Sequence, residues 1–304
     1  MRLDAPVDAL LAAEPPADDP PSVIRNLVDR LHERMYGHPP TPDDLPIDVE
    51  MAASFLGAEV AYADGGPAGS VRHDGDRYRV RVNAEASDGR VRFSVAHEII
   101  HIPFLSATGA TSRTDRETVR VDWSDQEELL CDIGAAQLLM PASAVQPMLP
   151  ARPTIDDVDE VAKRCGTSLE ASLRRTAQLC GLPGSAVVLE PKLKPAEVRA
   201  LAAAEQQPQL LAGFETPTPR PRLRVAYAID CGLFVPRDKS VADDCPLADI
   251  DSLGRVDFVG NSGLVPSGQH VSVSAVSAPL RRGDALVPRV LALVFEADAW
   301  RHAT

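Results

Sequence analysis

The sequence predicts an α+β protein with more than one domain, and three observations carry this prediction. His97 and His101 stand four residues apart in an apolar run, the spacing that places two side chains on one face of a helix. Asp74-Gly75 separates two runs of alternating residues, which indicates a tight β-hairpin. Short strand-like runs divided by Gly and Pro fill the chain after residue 222. With 304 residues and 44% apolar residues, the chain can bury more than one core.

The N-terminal part is predicted to be a tail followed by two helices and a strand. Residues 1–20 are rich in Pro and acidic residues, and we predict a disordered tail. A helix is predicted over 22–36, with Ser22 as its cap and Gly37 as its end. A second helix is predicted over 46–56 and a strand over 58–62.

The hairpin around Asp74-Gly75 is predicted to form a small antiparallel sheet with that strand. Its second strand, 78–82, places Tyr, Val and Val on one face and two arginines on the other. The edge of this strand is expected to border a cleft, where an extended peptide could pair with it. A simple solvated hairpin face is an equally good interpretation of the arginines.

The helix that carries His97 and His101 has the spacing of a metal site. Two imidazoles on one helical face can hold one zinc ion, and Glu98 beside them can take a proton from water at the metal. This arrangement is typical of zinc metallopeptidases. The competing interpretation is a pair of structural histidines, but two partly buried imidazoles without partners would be costly.

A third ligand is predicted on the next helical segment, which runs from Asp125 to the residue before Pro141. Glu128 can supply the carboxylate, and Asp132 lies one turn further on the same face, where it can accept a hydrogen bond from a ligand histidine. Glu127 is the competitor, disfavoured because its i+4 neighbour is Cys131. Cys131 itself is a weaker candidate for contact with the metal.

Together these residues resemble the ImmA/IrrE family of metallopeptidases. The resemblance covers about residues 20–180, including the segment 45–60, and it rests on two motifs: Arg92, Phe93, Ala96, His97, Glu98 and His101, then Glu128, Cys131, Asp132, Ala135, Ala136 and Pro141. The chain departs from the family at Cys131-Asp132, where Ala-Asn is usual, and at Gly134, where an aromatic residue is usual. Pro103, close behind the second histidine, predicts an early end of the metal helix.

The resemblance implies a zincin-like metallopeptidase domain over 21–150 and a zinc-dependent endopeptidase. A location in the cytoplasm is expected because nothing in the sequence marks the chain for export. The implied ligands are His97, His101 and Glu128, with Glu98 as the catalytic base and no organic cofactor. Zinc fits His and carboxylate ligands best, and Mn²⁺ or Fe²⁺ could be accommodated. The implied partner and substrate is a helix-turn-helix transcriptional repressor, whose cleavage would derepress a stress-response or mobile-element regulon.

Two other functions compete with the peptidase. One is a metal-containing regulator that acts by binding a partner or DNA with little proteolysis; an intact Glu98 argues against it. The other is a small-molecule sensor whose C-terminal domain controls the peptidase. A peptidase also needs a group that donates a hydrogen bond to the oxyanion formed during hydrolysis. The sequence offers three candidates for it: Arg92, Tyr78 and a residue of a polar loop predicted over 102–126.

The rest of the chain predicts three further segments. Residues 151–190 are predicted as a helix-turn-helix-like segment, with helices at 155–165 and 169–180 and Arg174 and Arg175 on the second. Residues 191–222 are predicted as a linker that contains a helix over 195–206. Residues 223–304 are predicted as a β-rich domain, sensor-like by analogy with the family, with strands at 223–229, 256–259, 270–276 and 289–296.

Composition restricts the partners. The net charge is −13, and residues 1–50 contribute four arginines against eleven acidic residues. An acidic protein repels phosphate backbones, so we do not expect direct DNA binding; a basic protein partner would be attracted instead. No export signal or membrane-length apolar run is apparent, and the five scattered cysteines are expected to be reduced.

Overall fold

The computed structural model describes residues 4–110, 112–114, 125–206, 219–266, 269–282 and 285–303. The chain divides into two compact units, Met1–Leu149 with Asp159–Arg175, and Pro150–Val158 with Thr176–Thr304. Both units combine helices with a sheet, which agrees with the predicted α+β class.

The first unit surrounds a four-stranded sheet with helices. Its helices are α1 (Ala5–Ala13), α2 (Pro20–Tyr36), α3 (Val49–Phe55), α4 (Asp88–Thr108), α5 (Asp125–Leu139) and α6 (Ala142–Val145). Short 3-10 helices occupy Pro42–Asp44 and Gln146–Met148. The strands are β1 (Ala58–Ala63), β2 (Gly69–Asp74), β3 (Arg77–Asn83) and β4 (Ser112–Thr114). Two helices contain residues of both units: α7 (Ile155–Cys165) and α8 (Leu169–Leu179).

The prediction of a disordered tail over 1–20 was wrong for residues 5–13 and for residue 20, which are helical. Residues 5–13 form α1, which packs against α4 and buries Val7 and Leu10. Burial of this short apolar face supplies the stability that the composition did not suggest. The predicted helix over 22–36 is confirmed, but it begins at Pro20 because the Asp19 side chain accepts from the Ser22 backbone N–H. Gly37, with φ of 79°, ends it.

The hairpin prediction is confirmed, but the sheet is mixed rather than antiparallel. β2 and β3 pair antiparallel around Gly75, whose φ is 71°. β1 pairs with β3 in parallel, because the chain crosses over between them instead of turning back. The strand order is β1-β3-β2-β4, so β3 lies inside the sheet and is not the edge strand that we predicted. Val80 and Val82 are buried and the arginines of β3 are exposed, as predicted.

Helix α4 is longer than the sequence predicted. It continues through Pro103 to Thr108, so the expected early end and the predicted loop over 102–108 were wrong. The proline removes one backbone donor, but burial of Ile102, Phe104 and Leu105 holds the helix together on both sides of it. Residues 112–114 form β4 on the edge of β2, and 115–124, the rest of the predicted loop, lie outside the described residues.

Helices α4 and α5 cross closely at Gly134. A Cβ built on Gly134 would lie 2.8 Å from Cγ2 of Ile100 and 3.0 Å from Cγ2 of Ile24. The space that the family's usual aromatic residue would occupy is therefore taken by two isoleucines from α4 and α2. This departure from the family motif is compensated within the core.

The helices predicted over 155–165 and 169–180 are present as α7 and α8, whereas their helix-turn-helix arrangement stays a prediction. Helix α8 does not present both arginines to solvent. Arg175 is buried and donates hydrogen bonds to the Met140 carbonyl, at 2.8 Å, and to the Gln137 side chain. Gln137 in turn donates to Asp29 on α2 at 2.6 Å. Arg174 pairs with Glu170 one turn earlier, at 2.8 Å. Arg175 therefore ties α8 to the first unit and is not available to read a DNA groove.

The second unit is built on a five-stranded antiparallel sheet of order β6-β5-β11-β8-β7. Its elements are β5 (Gly184–Lys192), α9 (Pro195–Gln206), β6 (Arg222–Cys231), the 3-10 helix Pro246–Asp249, α10 (Ile250–Leu253), β7 (Arg255–Gly260), β8 (Val271–Ser277), β9 (Leu280–Arg282), β10 (Ala285–Val287), β11 (Val290–Glu296) and α11 (Ala297–His302). The four strands predicted after residue 222 and the helix over 195–206 are confirmed.

The predicted boundaries at 190 and 222 differ from the compact units. β5 was missed, although it is the second strand of this sheet and pairs with both β6 and β11. Its residues 184–189 are all buried, so they form a continuous apolar run without the alternation by which we recognised the other strands. The core on one face of the sheet is a cluster of Val, Leu and Ile that includes Val187, Leu189, Val273 and Val294.

Among the described residues, no single helix is both long and apolar enough to cross a membrane; the consecutive segments Asp125–Leu139 and Ala142–Met148, bent by 41°, pass this test only as a pair.

Arg175→Met is expected to lower the free energy of unfolding by about 2–3 kcal/mol, because it removes two buried hydrogen bonds and leaves their acceptors without donors. Arg174→Met, in a half-exposed pair on the same helix, is the control and should cost less, about 1 kcal/mol or below. Urea unfolding of both full-length variants measures the difference. Equal losses would show that Arg175 has no special role.

His32 should make the first unit less stable in mild acid. Its Nε2–H donates to the Leu138 carbonyl at 3.1 Å, and its buried Nδ1 has no hydrogen-bond partner in the described part of the chain. Burial lowers the pKa of His32 below its usual value of 6.5. The unfolded chain therefore takes up this proton first, and the free energy of unfolding falls as pH drops below about 6.5, by up to about 1.4 kcal/mol per pH unit, until the folded-state pKa is reached.

His32→Gln keeps an amide donor for the Leu138 carbonyl but cannot titrate. Compared with the wild type, this variant should lose less stability between pH 7 and pH 5.5 in urea titrations. His38→Gln, at an exposed position, is the control and should follow the wild-type curve. Parallel curves for all three proteins would contradict the role of His32.

Candidate metal centre

The site is assembled from two crossing helices. α4 supplies His97, Glu98 and His101, and α5 supplies Glu127, Glu128 and Asp132. Each helix buries apolar side chains beside these polar residues, among them Ile99 and Ile100 on α4 and Leu130 on α5. The crossing at Gly134 holds the two helices close enough for their polar faces to meet.

The structure brings the three predicted ligands together. The Nε2 atoms of His97 and His101 lie 3.1 Å apart. The carboxylate of Glu128 reaches both, with Oε2 at 3.3 Å from His97 Nε2 and Oε1 at 3.5 Å from His101 Nε2. One ligand atom from each residue lies within 4.8 Å of the others. The three side chains converge in the structure, and their function as metal ligands stays a prediction.

A separate carboxylate orients each histidine from behind. His97 Nδ1–H donates to Asp132 at 3.0 Å, the contact that we predicted for Asp132. His101 Nδ1–H donates to Glu127 at 2.9 Å, and both of these side chains are almost fully buried. Either bond fixes the tautomer that leaves Nε2 free of its proton and directed into the site.

Sequence reasoning missed the position of Glu127. We treated it as a competing ligand, whereas the structure places it behind His101. Helical geometry carried a signal for this position. Adjacent helical residues point about 100° apart, so Glu127 and Glu128 can contact different ring nitrogens of one histidine. Cys131 Sγ lies 3.4 Å from the same Nδ1 of His101, and its burial raises the pKa of the thiol well above the usual value.

The two histidines differ in charge preference. Burial disfavours the charged form of His97, but hydrogen bonds to Asp132 and Glu128 outweigh it and raise its pKa to about 10. Burial and the nearby charge of His97 keep the pKa of His101 below the usual value, despite its bond to Glu127. The surrounding carboxylates therefore favour positive charge on the pair, and a divalent cation bound there would supply the same neutralising charge.

Glu98 lies beside the ligand cluster with only 4% of its surface exposed. The side chain is shielded from bulk water, which suits a group that exchanges protons with one bound water. Two of the open candidates for an oxyanion donor have structural contacts: Arg92 donates to the Ile47 carbonyl at 2.7 Å, and the ring of Tyr78 lies 4.8 Å from that of His73.

The donor set fits a divalent transition metal. Two imidazole nitrogens and one carboxylate, each imidazole supported by a second carboxylate, are the ligand types that zinc prefers. Three protein ligands leave a coordination position for water or substrate. The fold and the site therefore define a candidate metal centre, in which two histidines and one carboxylate converge from crossing helices with a buried glutamate beside them.

Comparison with known proteins gives a family match for the region that contains the site. Residues 53–177 match the family model described as the IrrE N-terminal-like domain, a peptidase family, and this range contains all six site residues. This match supports the resemblance to the ImmA/IrrE family of metallopeptidases that the sequence motifs indicated.

Two similar proteins extend the comparison. The radiation response metalloprotease IrrE of Deinococcus deserti is 30% identical over 112 residues, which are 36% of this chain and 40% of that protein. A transcriptional regulator of Mycobacterium tuberculosis has a similar fold, with a TM-score of 0.55 over 97% of this chain and 81% of that one, at 14% identity.

Glu127→Gln is expected to weaken zinc binding by about tenfold to a hundredfold, because a neutral amide holds the His101 tautomer less firmly than a buried carboxylate. Asp132→Asn is the matched control: the Asp132 side chain is 59% exposed, so water can replace part of its contact and the loss should be smaller. Competition with a chromogenic chelator at fixed pH measures both affinities. Equal affinities for wild type and Glu127→Gln would contradict the assignment.

Proposed function

We propose that the protein is a zinc-dependent endopeptidase that cleaves a helix-turn-helix transcriptional repressor. One observation carries this proposal: the Nε2 atoms of His97 and His101 converge on the Glu128 carboxylate, with buried Glu98 beside them, inside a domain of a metallopeptidase family. A binding protein would have no need of a shielded carboxylate at that position.

The residues of the chain divide the chemistry between them. A zinc ion held by His97, His101 and Glu128 would supply a Lewis acid that makes water acidic and polarises a carbonyl group. Glu98 accepts the proton of the attacking water on its carboxylate and passes it to the nitrogen of the leaving amine. Asp132 and Glu127 hold the two imidazoles in the orientation that binding requires.

Zinc is preferred to manganese and iron for this site. Two nitrogen ligands and one carboxylate match zinc, whereas manganese favours sites made of oxygen ligands. A redox-inactive ion also suits hydrolysis, in which no electron is transferred.

The proposed substrate class rests on the family resemblance and on charge. The similar protein of Deinococcus deserti carries a radiation response function in its name, which suits a protease that acts on gene regulation. The net charge of −13 would attract a basic DNA-binding protein by long-range electrostatics. We further propose that the reaction takes place in the cytoplasm and that the second unit acts as a sensor of the activating signal.

Glu98→Gln is expected to abolish cleavage without loss of the metal. The amide cannot accept a proton, so kcat should fall by about a thousandfold, while the three ligands are untouched. The substrate would be a helix-turn-helix repressor encoded beside the gene of this protein, and cleavage would be followed by gel electrophoresis and mass spectrometry, with zinc quantified in each sample.

The control is Glu85→Gln, which makes the same chemical change at an exposed position outside the site and should cleave like the wild type. If wild type and Glu98→Gln both bind zinc and neither cleaves any candidate repressor, with or without cell extract, the peptidase proposal is wrong and a binding regulator replaces it. If neither protein binds zinc, the metal site itself is wrong.

A further inference from the structure

Gly69 is an unexpected residue for its place in the fold. It is the first residue of β2, it is buried, and it pairs with Val82 of β3. Glycine weakens a strand because it loses much conformational freedom on folding and offers no side chain for packing. Its backbone does not require glycine, since Gly69 is not among the residues with positive φ. The reason for a glycine must therefore lie in its neighbours.

The neighbour is the predicted catalytic base. A Cβ built on Gly69 would lie 2.5 Å from Oε1, 2.8 Å from Cγ and 3.0 Å from Cδ of Glu98. All three distances are at or below the shortest that carbon atoms tolerate without displacement. Because Glu98 is buried, its carboxylate has little room to move away from an added methyl group.

Three other described glycines show comparably close approaches, but none of them faces a charged side chain. Gly134 faces Ile100, Gly184 faces Phe295 and the Val294 carbonyl oxygen, and Gly263, whose φ is 73°, faces the backbone nitrogen of Ala242. Such contacts are explained by packing of the backbone and of apolar side chains alone. Among the described glycines, Gly69 is the one whose missing side chain makes room for a carboxylate with a proposed chemical role.

We propose that Gly69 is a positioning residue for the peptidase reaction: the bare backbone of β2 lies directly against Glu98 and sets where its carboxylate stands relative to His97 and His101. This inference rests on the proposed function. It implies that the sheet contributes directly to the site, because β2 packs against the side chain of the proposed base.

The contact itself is tested without any substrate, by a double-mutant cycle on the full-length, zinc-loaded protein. Gly69→Ala should lower Tm by about 3–6 °C when Glu98 is present, because the methyl group is forced against its side chain. In a Glu98→Ala background the crowding side chain is gone, and the same change should shift Tm by less than about 1 °C. Gly260→Ala is the control, because its added Cβ would meet only a ring atom of Phe258, at 3.9 Å.

The positioning role is tested with the repressor as substrate. Gly69→Ala should lower kcat by about tenfold to a hundredfold, the effect of displacing a catalytic group by about an ångström, while KM and zinc content stay at wild-type values. A purely structural role would instead lower the amount of folded, zinc-loaded protein and leave kcat per folded molecule unchanged.

The outcomes separate this inference from the proposed function. Equal Tm shifts in both backgrounds overturn the inference even if the wild type cleaves the repressor. Coupled Tm shifts with an unchanged kcat also overturn it, since the contact would then be one of packing alone. Coupled Tm shifts in a wild type that cleaves nothing show that the proposed function has failed, and the positioning role fails with it although the contact is real.

Discussion

The close crossing of α4 and α5 at Gly134 is the constraint on which the site depends. With Ile100 and Ile24 filling the space beside that glycine, α5 approaches α4 closely enough for Glu128 to reach both histidines. Neither helix could form the site alone, because α4 lacks the third ligand and α5 lacks the imidazoles. The apolar core thus fixes the geometry of a polar cluster that would otherwise be held apart by desolvation and repulsion.

The polar cluster is in turn organised by carboxylates of unequal exposure. Glu127 is buried behind His101, whereas Asp132 is largely exposed behind His97. A buried carboxylate holds its partner more firmly than an exposed one, because the local dielectric is lower. The same burial concentrates negative charge around two imidazoles, and this is an arrangement that a bound cation would stabilise.

Much of the fold could be predicted because its signals are local. The helix end at Gly37, the turn at Gly75 and the alternation in β3 each depend on a few adjacent residues. The failures were of a different kind. α1 and the part of α4 after Pro103 are held by burial against distant segments, and β5 lacks alternation because both of its faces are covered. Local propensity gave no indication of these contacts.

By itself the sequence determined the α+β class, the family resemblance and which side chains share a helical face, because helical spacing places His97 with His101 and Glu128 with Asp132 whatever surrounds them. Only the tertiary structure decided which carboxylate serves which histidine, that Arg175 is buried instead of facing solvent, and that Gly69 lies against Glu98. The physical reason is that these relations join segments far apart in the chain. Their distances are set by how the helices and the sheet pack, and no local pattern in the sequence encodes them.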